Sequence, residues 1–393
     1  MTKTAPKKNI PKGWQVRQIK DLLGYERPDR YIVENNRYIK AGTPVLTANK
    51  SFVLGYTDEK DGIYTNLPAI IFDDFTTDSK FADFPFKVKS SAIKILKERG
   101  ADVDLQFVYE KMKSINFPTG SHKRYYISQY QNMEVLVPPH SEQKKIAEIL
   151  SVVDEEIQKT DEIITATEKL KGGLMQQLFT RGIGHTKFKR TEIGEVPSTW
   201  DVKKLGDVLD TSSGGTPLKS KKEYYEGGTI PWLTSGEVRQ GRVYNATQYI
   251  TNAGLKNSSA KIFPKSTVLV AMYGATAGQV GFLSINASTN QAVCGVLPSE
   301  HFNPEFVYYF LSNKTEELIS KARGAAQPNI SQTVIREMYI SRPSVSEQKE
   351  IANILTSVDE KISINQKLKG KLFLLKKGLM QDLLTGSVRV KTP

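Results

Sequence analysis

Ser141-Glu-Gln-Lys-Lys-Ile-Ala-Glu-Ile-Leu150 is written twice in this chain, returning as Ser346-Glu-Gln-Lys-Glu-Ile-Ala-Asn-Ile-Leu355, 205 positions later. The register then holds without a gap: Val153-Asp154 meets Val358-Asp359, Ile157 meets Ile362, and Gly173-Leu-Met-Gln176 meets Gly378-Leu-Met-Gln381. About half of the ~40 aligned positions are identical, and so long a period means two copies of one large unit, not a solenoid.

The spacing of apolar residues says what the repeated segment is. The first copy offers Ile146, Leu150, Val153, Ile157, Ile164, Leu174 and Leu178, and the second Ile351, Leu355, Val358, Ile362, Leu372, Leu375, Leu379 and Leu383. Steps of three and four dominate, which predicts two long amphipathic helices, over 141–180 and 344–385, each with a heptad-like seam. Ser141 and Ser346 are expected as caps, with Glu142 and Glu347 as acidic first turns. Lys171 and Lys376-Lys377 are expected to suit the far ends of the helix dipoles. A helix of ~38 residues is a rod of roughly 57 Å. One narrow stripe cannot stand alone, and the nearest partner is the other copy, so a two-helix coiled coil is expected.

The repeat extends beyond the helices. Pro11-Lys-Gly-Trp14-Gln-Val16 is echoed by Pro197-Ser-Thr-Trp200-Asp-Val202, and Ile127-Ser-Gln129 by Ile330-Ser-Gln332. The offsets, 186 and 203, differ from that of the helices, so two globular portions share their edges and differ inside. The expected organisation is a first globule over 1–140, its helix, a polar linker over 181–195, a second globule over 196–343, the second helix and a tail over 386–393. Both globules mix α and β. Strands are expected at Pro44–Thr47, Ala69–Phe72, Phe84–Val88, Ile230–Leu233 and Thr267–Met272, and helices at Ala92–Glu98, Leu105–Met112 and Pro304–Leu318. The fold class is therefore α+β: two similar domains separated by two long helices, with a pseudo-twofold internal repeat. The short linker favours antiparallel helices, because a parallel pair would stretch ~15 residues along the whole rod.

Composition narrows the partner. A formal charge of +13 and a pI near 9.4 point to an anionic one, with nucleic acid leading. One cysteine, Cys294, excludes a disulfide framework and suits a reducing cytosol; it is expected in the core. The basic start lacks an apolar stretch, and Thr267–Leu283 is too short and too interrupted to span a bilayer, so a cytoplasmic protein off the membrane is expected. Catalysis has little support. There is no Walker phosphate loop, His122, His140, His185 and His301 lack metal spacing, and Asp73-Asp74 as strand neighbours point to opposite faces.

Several loops are suited to DNA. Ser212-Ser213-Gly214-Gly215-Thr216, followed by Lys219, Lys221 and Lys222, joins glycines that let backbone N–H groups approach phosphates to hydroxyls and cations. Its alternative is a solvated basic loop. Thr234 and Ser235, and Tyr273 with Thr276, lie in small-residue turns that packing explains nearly as well. Ser121, His122, Lys123 and Arg124 in the first globule match Arg323, Gln327 and Asn329 in the second, each set just before the shared Ile-Ser-Gln. Gln and Asn can read adenine and Arg guanine.

Taken together these residues resemble a known family. The duplicated Ser-Glu-Gln helices, Gly214-Gly-Thr-Pro217, Ile230-Pro-Trp-Leu-Thr-Ser-Gly236, Tyr273-Gly-Ala-Thr-Ala-Gly278, Thr289-Asn290-Gln291 and Gln327-Pro-Asn-Ile-Ser-Gln332 are similar to the specificity subunit of type I restriction–modification enzymes. Gly42-Thr-Pro-Val-Leu-Thr47-Ala-Asn49, Phe72-Asp-Asp-Phe-Thr76-Thr77 and Phe84-Pro-Phe-Lys-Val-Lys-Ser90 resemble a different recognition type of that family. In this head Thr47, Asn49, Lys50, Thr76 and Lys80 become DNA-binding candidates, as does Asn290 in the other. The resemblance implies two target-recognition domains reading a bipartite, asymmetric site on double-stranded DNA. It also implies helices that dock two methyltransferase subunits, through which restriction subunits join. S-adenosylmethionine, ATP and Mg would belong to those partners, and this chain, which lacks the Asn-Pro-Pro-Phe/Tyr motif of such methyltransferases, would hold no cofactor. The rival expectations are the specificity part of a combined type II nuclease/methylase, and a coiled-coil adaptor that does not touch DNA.

Overall fold

The periodic segments form two long helices, His140–Arg181 and Val345–Leu383. The computed structural model describes residues 10–48, 51–120, 123–239, 241–322 and 329–391. The chain divides into two compact units, one of residues up to 162 together with those from 366 on, the other of 163–365. Each unit thus holds one head and a part of each long helix.

In the first unit a four-stranded antiparallel sheet runs in the order Leu23–Glu26, Ile93–Glu98, Ala69–Asp73, Ser79–Ala82. A three-stranded sheet sets Thr43–Leu46 between Val53–Thr57 and Lys87–Val88. Ile93–Glu98 lies within the stretch expected as helix. Its Ala, Leu, Lys and Glu favour helix, but Ile93, Lys94, Ile95 and Leu96 are all buried in a central strand, and sheet packing overrides propensity. Helix Leu105–Lys113, capped by Asp104, packs with Phe72, Tyr126 and Tyr130 against Ile146 and Leu150 of one long helix and Leu383 of the other.

The second unit repeats the plan with more strands. A five-stranded sheet runs Thr211–Ser213, Val293–Val296, Val268–Ala271, Val280–Leu283, Arg242–Val243, and a four-stranded sheet runs Gln248–Ile250, Ile230–Leu233, Ala287–Thr289, Ile262–Phe263. The helix expected over Pro304–Leu318 breaks at Lys314 into Pro304–Asn313 and Thr315–Ser320. The expected linker contains a hairpin, Phe188–Thr191 against Gly194–Pro197.

The repeated Ser-Glu-Gln now has a physical meaning. Glu142 accepts from Trp14 Nε1 at 3.1 Å, and Glu347 accepts from Trp200 Nε1 at 2.9 Å. Gln143 accepts from Asp104 N and donates to Asp102 O and Pro138 O; Gln348 accepts from Asn303 N and donates to His301 O and Pro343 O. These acids therefore hold the tryptophans instead of merely charging a first turn. In the second helix Ser344, not Ser346, accepts from Glu347 N. Each unit also closes a chain segment over its tryptophan. Arg389 donates two hydrogen bonds to Glu142, which hold its guanidinium above the ordinary value, and His185 meets Glu347.

Within each unit the helix segments run antiparallel. In the first, Lys376 pairs with Asp154, and one heptad on, Lys369 pairs with Asp161. In the second, Lys171 stands 2.6 Å from Asp359. Of the expected seam, Ile146, Leu150, Val153, Ile157, Ile164, Leu178, Ile351, Leu355, Ile362 and Leu383 are buried, while Leu174, Val358, Leu372 and Leu379 are half-buried. The same heptad positions also carry buried Thr160 and Thr167, whose hydroxyls bond back to Glu156 O and Ile163 O. Lys171 and Lys376 thus belong to the seam. They lie more than a turn short of the helix ends, so the helix-dipole role expected of them does not apply.

Candidate nucleic-acid interface

In the second head the motifs singled out in the sequence converge on one end of the sheets. Ile230–Leu233 and Ala287–Thr289 run parallel and finish together, with Leu233 opposite Thr289. Asn290 N then donates to Leu233 O at 2.9 Å, and Gly215 N to Thr289 O at 2.8 Å. Trp232 Nε1 donates to Gly215 O, and Thr216 Oγ1 bonds Gln291. From the five-stranded sheet, Met272 N donates to Ala292 O and Ile330 N to Met272 O, while Tyr273 bridges Asn329. Gln332 accepts from Ser213 Oγ and donates to Thr211. Ser213, Gly214, Gly215, Thr216, Thr234, Tyr273, Asn290 and Asn329 therefore share one edge.

The glycines do a different job from the expected one. Gly214 N and Gly215 N both donate inside the fold, to Val293 O and Thr289 O, so they are not presented to a phosphate. Both glycines are buried; a Cβ would strike Thr289 at Gly214 and Ser259 at Gly215. They let the loop lie flat on the sheet. The hydroxyls of Ser212, Ser213 and Thr216 are half-buried and bonded within the fold, whereas Leu218 and the lysines remain exposed. Lys219, Lys221 and Lys222 are exposed just beyond the loop, Lys221 lying over the Tyr224 ring at 5.2 Å. The Tyr225 hydroxyl, raised by burial above its usual range and so neutral, donates to Pro217 O at 2.6 Å and fixes the loop's far end. Ser235 is half-buried and Thr276 is buried. Lys261, whose Nζ donates to Ser212 Oγ, joins this edge through the pairing of Ile262 with Ser288. No local pattern marks it.

In the first head the end of strand Ala69–Asp73 occupies the corresponding place. Asp73 accepts from Phe75 N and Thr76 N, forming the turn that exposes Thr76. Buried Asp74 accepts from Tyr126 N at 2.7 Å and pairs with Lys94 at 3.3 Å. Tyr125 N donates to Asp74 O, just as Ile330 N donates to Met272 O in the other head. The two acids are thus joints between a strand end and the loop before Ile-Ser-Gln. That joint brings Arg124 over the Phe75 ring at 5.6 Å, beside exposed Thr76 and Lys123. Thr47 is buried, its N–H donating to Phe52 O, and Lys80 is half-buried within a strand. Asn49, Lys50, Ser121, His122, Arg323 and Gln327 lie outside the described residues.

Cys294 is fully buried, and burial pushes its thiol up to about 12. Among the described residues no three of His, Cys, Asp and Glu form a metal-binding group, and no helix is long and apolar enough to cross a membrane.

Comparison with known proteins matches this architecture. The family model described as type I restriction modification DNA specificity domain fits twice, over residues 11–168 and 197–373. The chain is 30% identical over 351 residues to the type I restriction enzyme EcoR124I/EcoR124II specificity subunit of Escherichia coli, covering 86% of this chain and 85% of that one. It is 27% identical to the MjaVIII specificity subunit of Methanocaldococcus jannaschii, covering 97% and 94%. The fold matches the crystal structure of a type I restriction–modification S subunit from M. genitalium with a TM-score of 0.66 at 19% identity, over 97% of this chain and 98% of that one. Two copies of the family domain, each with its own sheets and its own Trp–Glu–Gln attachment to a long helix, make this chain a member of the type I restriction–modification DNA specificity subunit family.

Proposed function

We propose that the chain is the sequence-specific DNA-binding subunit of a type I restriction–modification complex. On this reading its two heads read the two halves of a bipartite, asymmetric site. The observation that carries the proposal is a shared frame with unlike contents. Both heads join a strand end to the loop before Ile-Ser-Gln, but one presents Phe75, Thr76 and Arg124 there and the other Tyr273, Asn290 and Asn329. Amides, hydroxyls and a guanidinium are groups that read base edges or hold phosphates, and a net charge of +13 suits a polyanion.

The long helices would dock two copies of a methyltransferase subunit, and through them restriction subunits. Exposed Ile163 and Leu170 on the first helix have exposed Leu368 and Leu375 at the matching positions of the second. A duplicated apolar face fits a partner present twice. The chain itself would be non-catalytic: methyl transfer from S-adenosylmethionine and ATP- and Mg-dependent work would belong to the partners.

The test is methylation mapping of genomic DNA from cells expressing the methyltransferase partner with and without this chain. A chain-dependent motif of two unlike half-sites around a fixed gap is expected. Its absence, together with salt-insensitive or absent duplex binding by the purified chain, would sink the proposal.

A further inference from the structure

The edge of the second head includes one loop that no sequence motif marked, Tyr244-Asn-Ala-Thr247. It joins Arg242–Val243, at the margin of the five-stranded sheet, to Gln248–Ile250, at the margin of the four-stranded sheet. Gln248 pairs with Trp232, so the loop delivers the chain to the sheet end where Leu233, Thr289 and Asn290 meet. Tyr244 is 67% exposed and Asn245 is exposed, whereas the next residue, Ala246, is buried with Leu233, Val238 and Val243. A large aromatic and an amide stand in solvent on a loop rooted in the core.

What fixes that loop is a buried carboxylate. Glu237 is 6% exposed and accepts from four donors on two segments. On one side are Thr234 N at 2.8 Å and Thr234 Oγ1 at 3.4 Å, and on the other Thr247 N at 2.9 Å and Thr247 Oγ1 at 3.0 Å. An ionised carboxylate can satisfy all four donors, and burying it is tolerable because they are present. The bond to Thr234 N closes a short turn. The bonds to Thr247 close nothing local; they clamp one loop onto another. Thr234 follows Leu233, whose carbonyl takes the Asn290 N–H, so the clamp is continuous with the candidate edge.

We propose that Tyr244 and Asn245 are specificity-determining residues of the second head and that Glu237 is their positioning residue. This rests on the DNA-reading function proposed above. An Asn amide pairs with the two hydrogen-bonding groups of an adenine edge, and a tyrosine adds an apolar face and a hydroxyl at little entropic cost. Holding such groups rigid before contact is what converts them from adhesive to selective. Glu237→Gln would turn one acceptor into a donor aimed at threonine N–H groups, releasing one of the two segments while keeping the side chain's shape.

The experiment maps genomic methylation by the full chain with its methyltransferase partner, comparing modification of the cognate motif with that of every single-base mismatch. Tyr244→Ala, Asn245→Ala and Glu237→Gln are compared with the unaltered chain. Each is expected to raise modification at mismatches by about tenfold, the scale of one base contact, at positions confined to the same half-site. The other half-site is the internal control. Loss of fold by Glu237→Gln would appear as loss of all modification, and the two exposed-residue variants would then decide. Unchanged mismatch ratios for Tyr244→Ala and Asn245→Ala would overturn the assignment, as would relaxation spread over both half-sites. An unaltered chain that directs no motif would instead remove the DNA-reading proposal itself, and this inference with it.

Discussion

Lys171 and Lys376 occupy the same position in the two helix repeats, yet neutralising them should have very different consequences. Lys376 is 6% exposed and faces Asp154 and Glu110, the latter fully buried on helix Leu105–Lys113. Its Nζ lies 3.1 Å from Glu110 Oε2, an ion pair without hydrogen-bond alignment, and Lys113, 3.3 Å from Glu110 Oε1, is the other cation there. Lys376→Met keeps the stem and strips the charge, leaving a carboxylate at zero exposure with one half-buried cation. Removing one partner of a buried pair costs about 3–5 kcal/mol, and Lys113 places this case at the lower end, about 3. Lys171 sits in a wetter place. Its side chain is 23% exposed and that of Asp359 28%, and Asp359 keeps a hydrogen bond from the Tyr309 hydroxyl at 2.8 Å. Lys171→Met should cost about 1 kcal/mol. Hydrogen–deuterium exchange of the full chain resolves the two units. Amides of 105–113 and 366–383 should exchange about 150-fold faster in Lys376→Met, and those of 163–181 and 304–313 about fivefold faster in Lys171→Met, at 1.4 kcal/mol per tenfold. Adding Glu110→Gln to Lys376→Met should restore most of the protection. Equal effects of the two lysines, or no rescue by the second change, would refute the argument.

Other expectations follow from the same geometry. Trp14→Phe and Trp200→Phe each leave a glutamate without its indole donor. Each should destabilise its own unit by about 1–3 kcal/mol, read by exchange in that unit alone, with Glu142 still held by Arg389 and Glu347 by Ile183 N and His185. Arg389→Ala should sensitise 10–18 to proteolysis, because it removes both hydrogen bonds to Glu142 and one to Lys12 O. The Cys294 thiol, held neutral to about pH 12 and fully buried, should resist a maleimide at pH 8 until the chain is unfolded in denaturant. Finally, deleting 155–161 together with 369–375 removes one heptad from each helix, including the paired Asp161 and Lys369, without changing seam phase. If, on the proposed function, helix length sets the gap between half-sites, the gap should shorten by about three base pairs, since seven residues rise ~10.5 Å; an unchanged gap in the methylated motif would refute that dependence.

The long helices were legible because their apolar positions repeat at steps that only a helix brings to one face. What escaped was the polar part of the same seam. Thr160, Thr167, Lys369 and Lys376 sit at heptad positions, but each is held there, Lys369 half-buried and the others buried, by a specific bond to a carbonyl one turn back or to an aspartate on the other helix, and such bonds leave no periodic trace. Ala92–Glu98 reads as helix because its local propensity is audible, whereas the two buried faces of strand Ile93–Glu98 are not. At the candidate interface, motifs such as Thr289-Asn-Gln and Met272-Tyr-Gly could be picked out, and the structure gathers them. The roles of individual atoms were less visible. Asp73 and Asp74 are joints, and the glycine amides are already spent inside the fold, because backbone partners come from strands far away in sequence.

Gln143 and Gln348 each make three hydrogen bonds, and every one goes to main-chain atoms. This polar part of the seat is therefore indifferent to the head's side chains, whereas the apolar core shared with Ile146 and Leu150 and the Lys376–Glu110 pair are not. Each glutamine demands only that a short turn before a helix arrive with an N–H and a carbonyl correctly spaced. Surface substitutions that leave this turn and the buried core unchanged keep the same glutamine bonds. The exposed surface can change while this fitting stays constant, as the working end of a tool changes on a fixed shank.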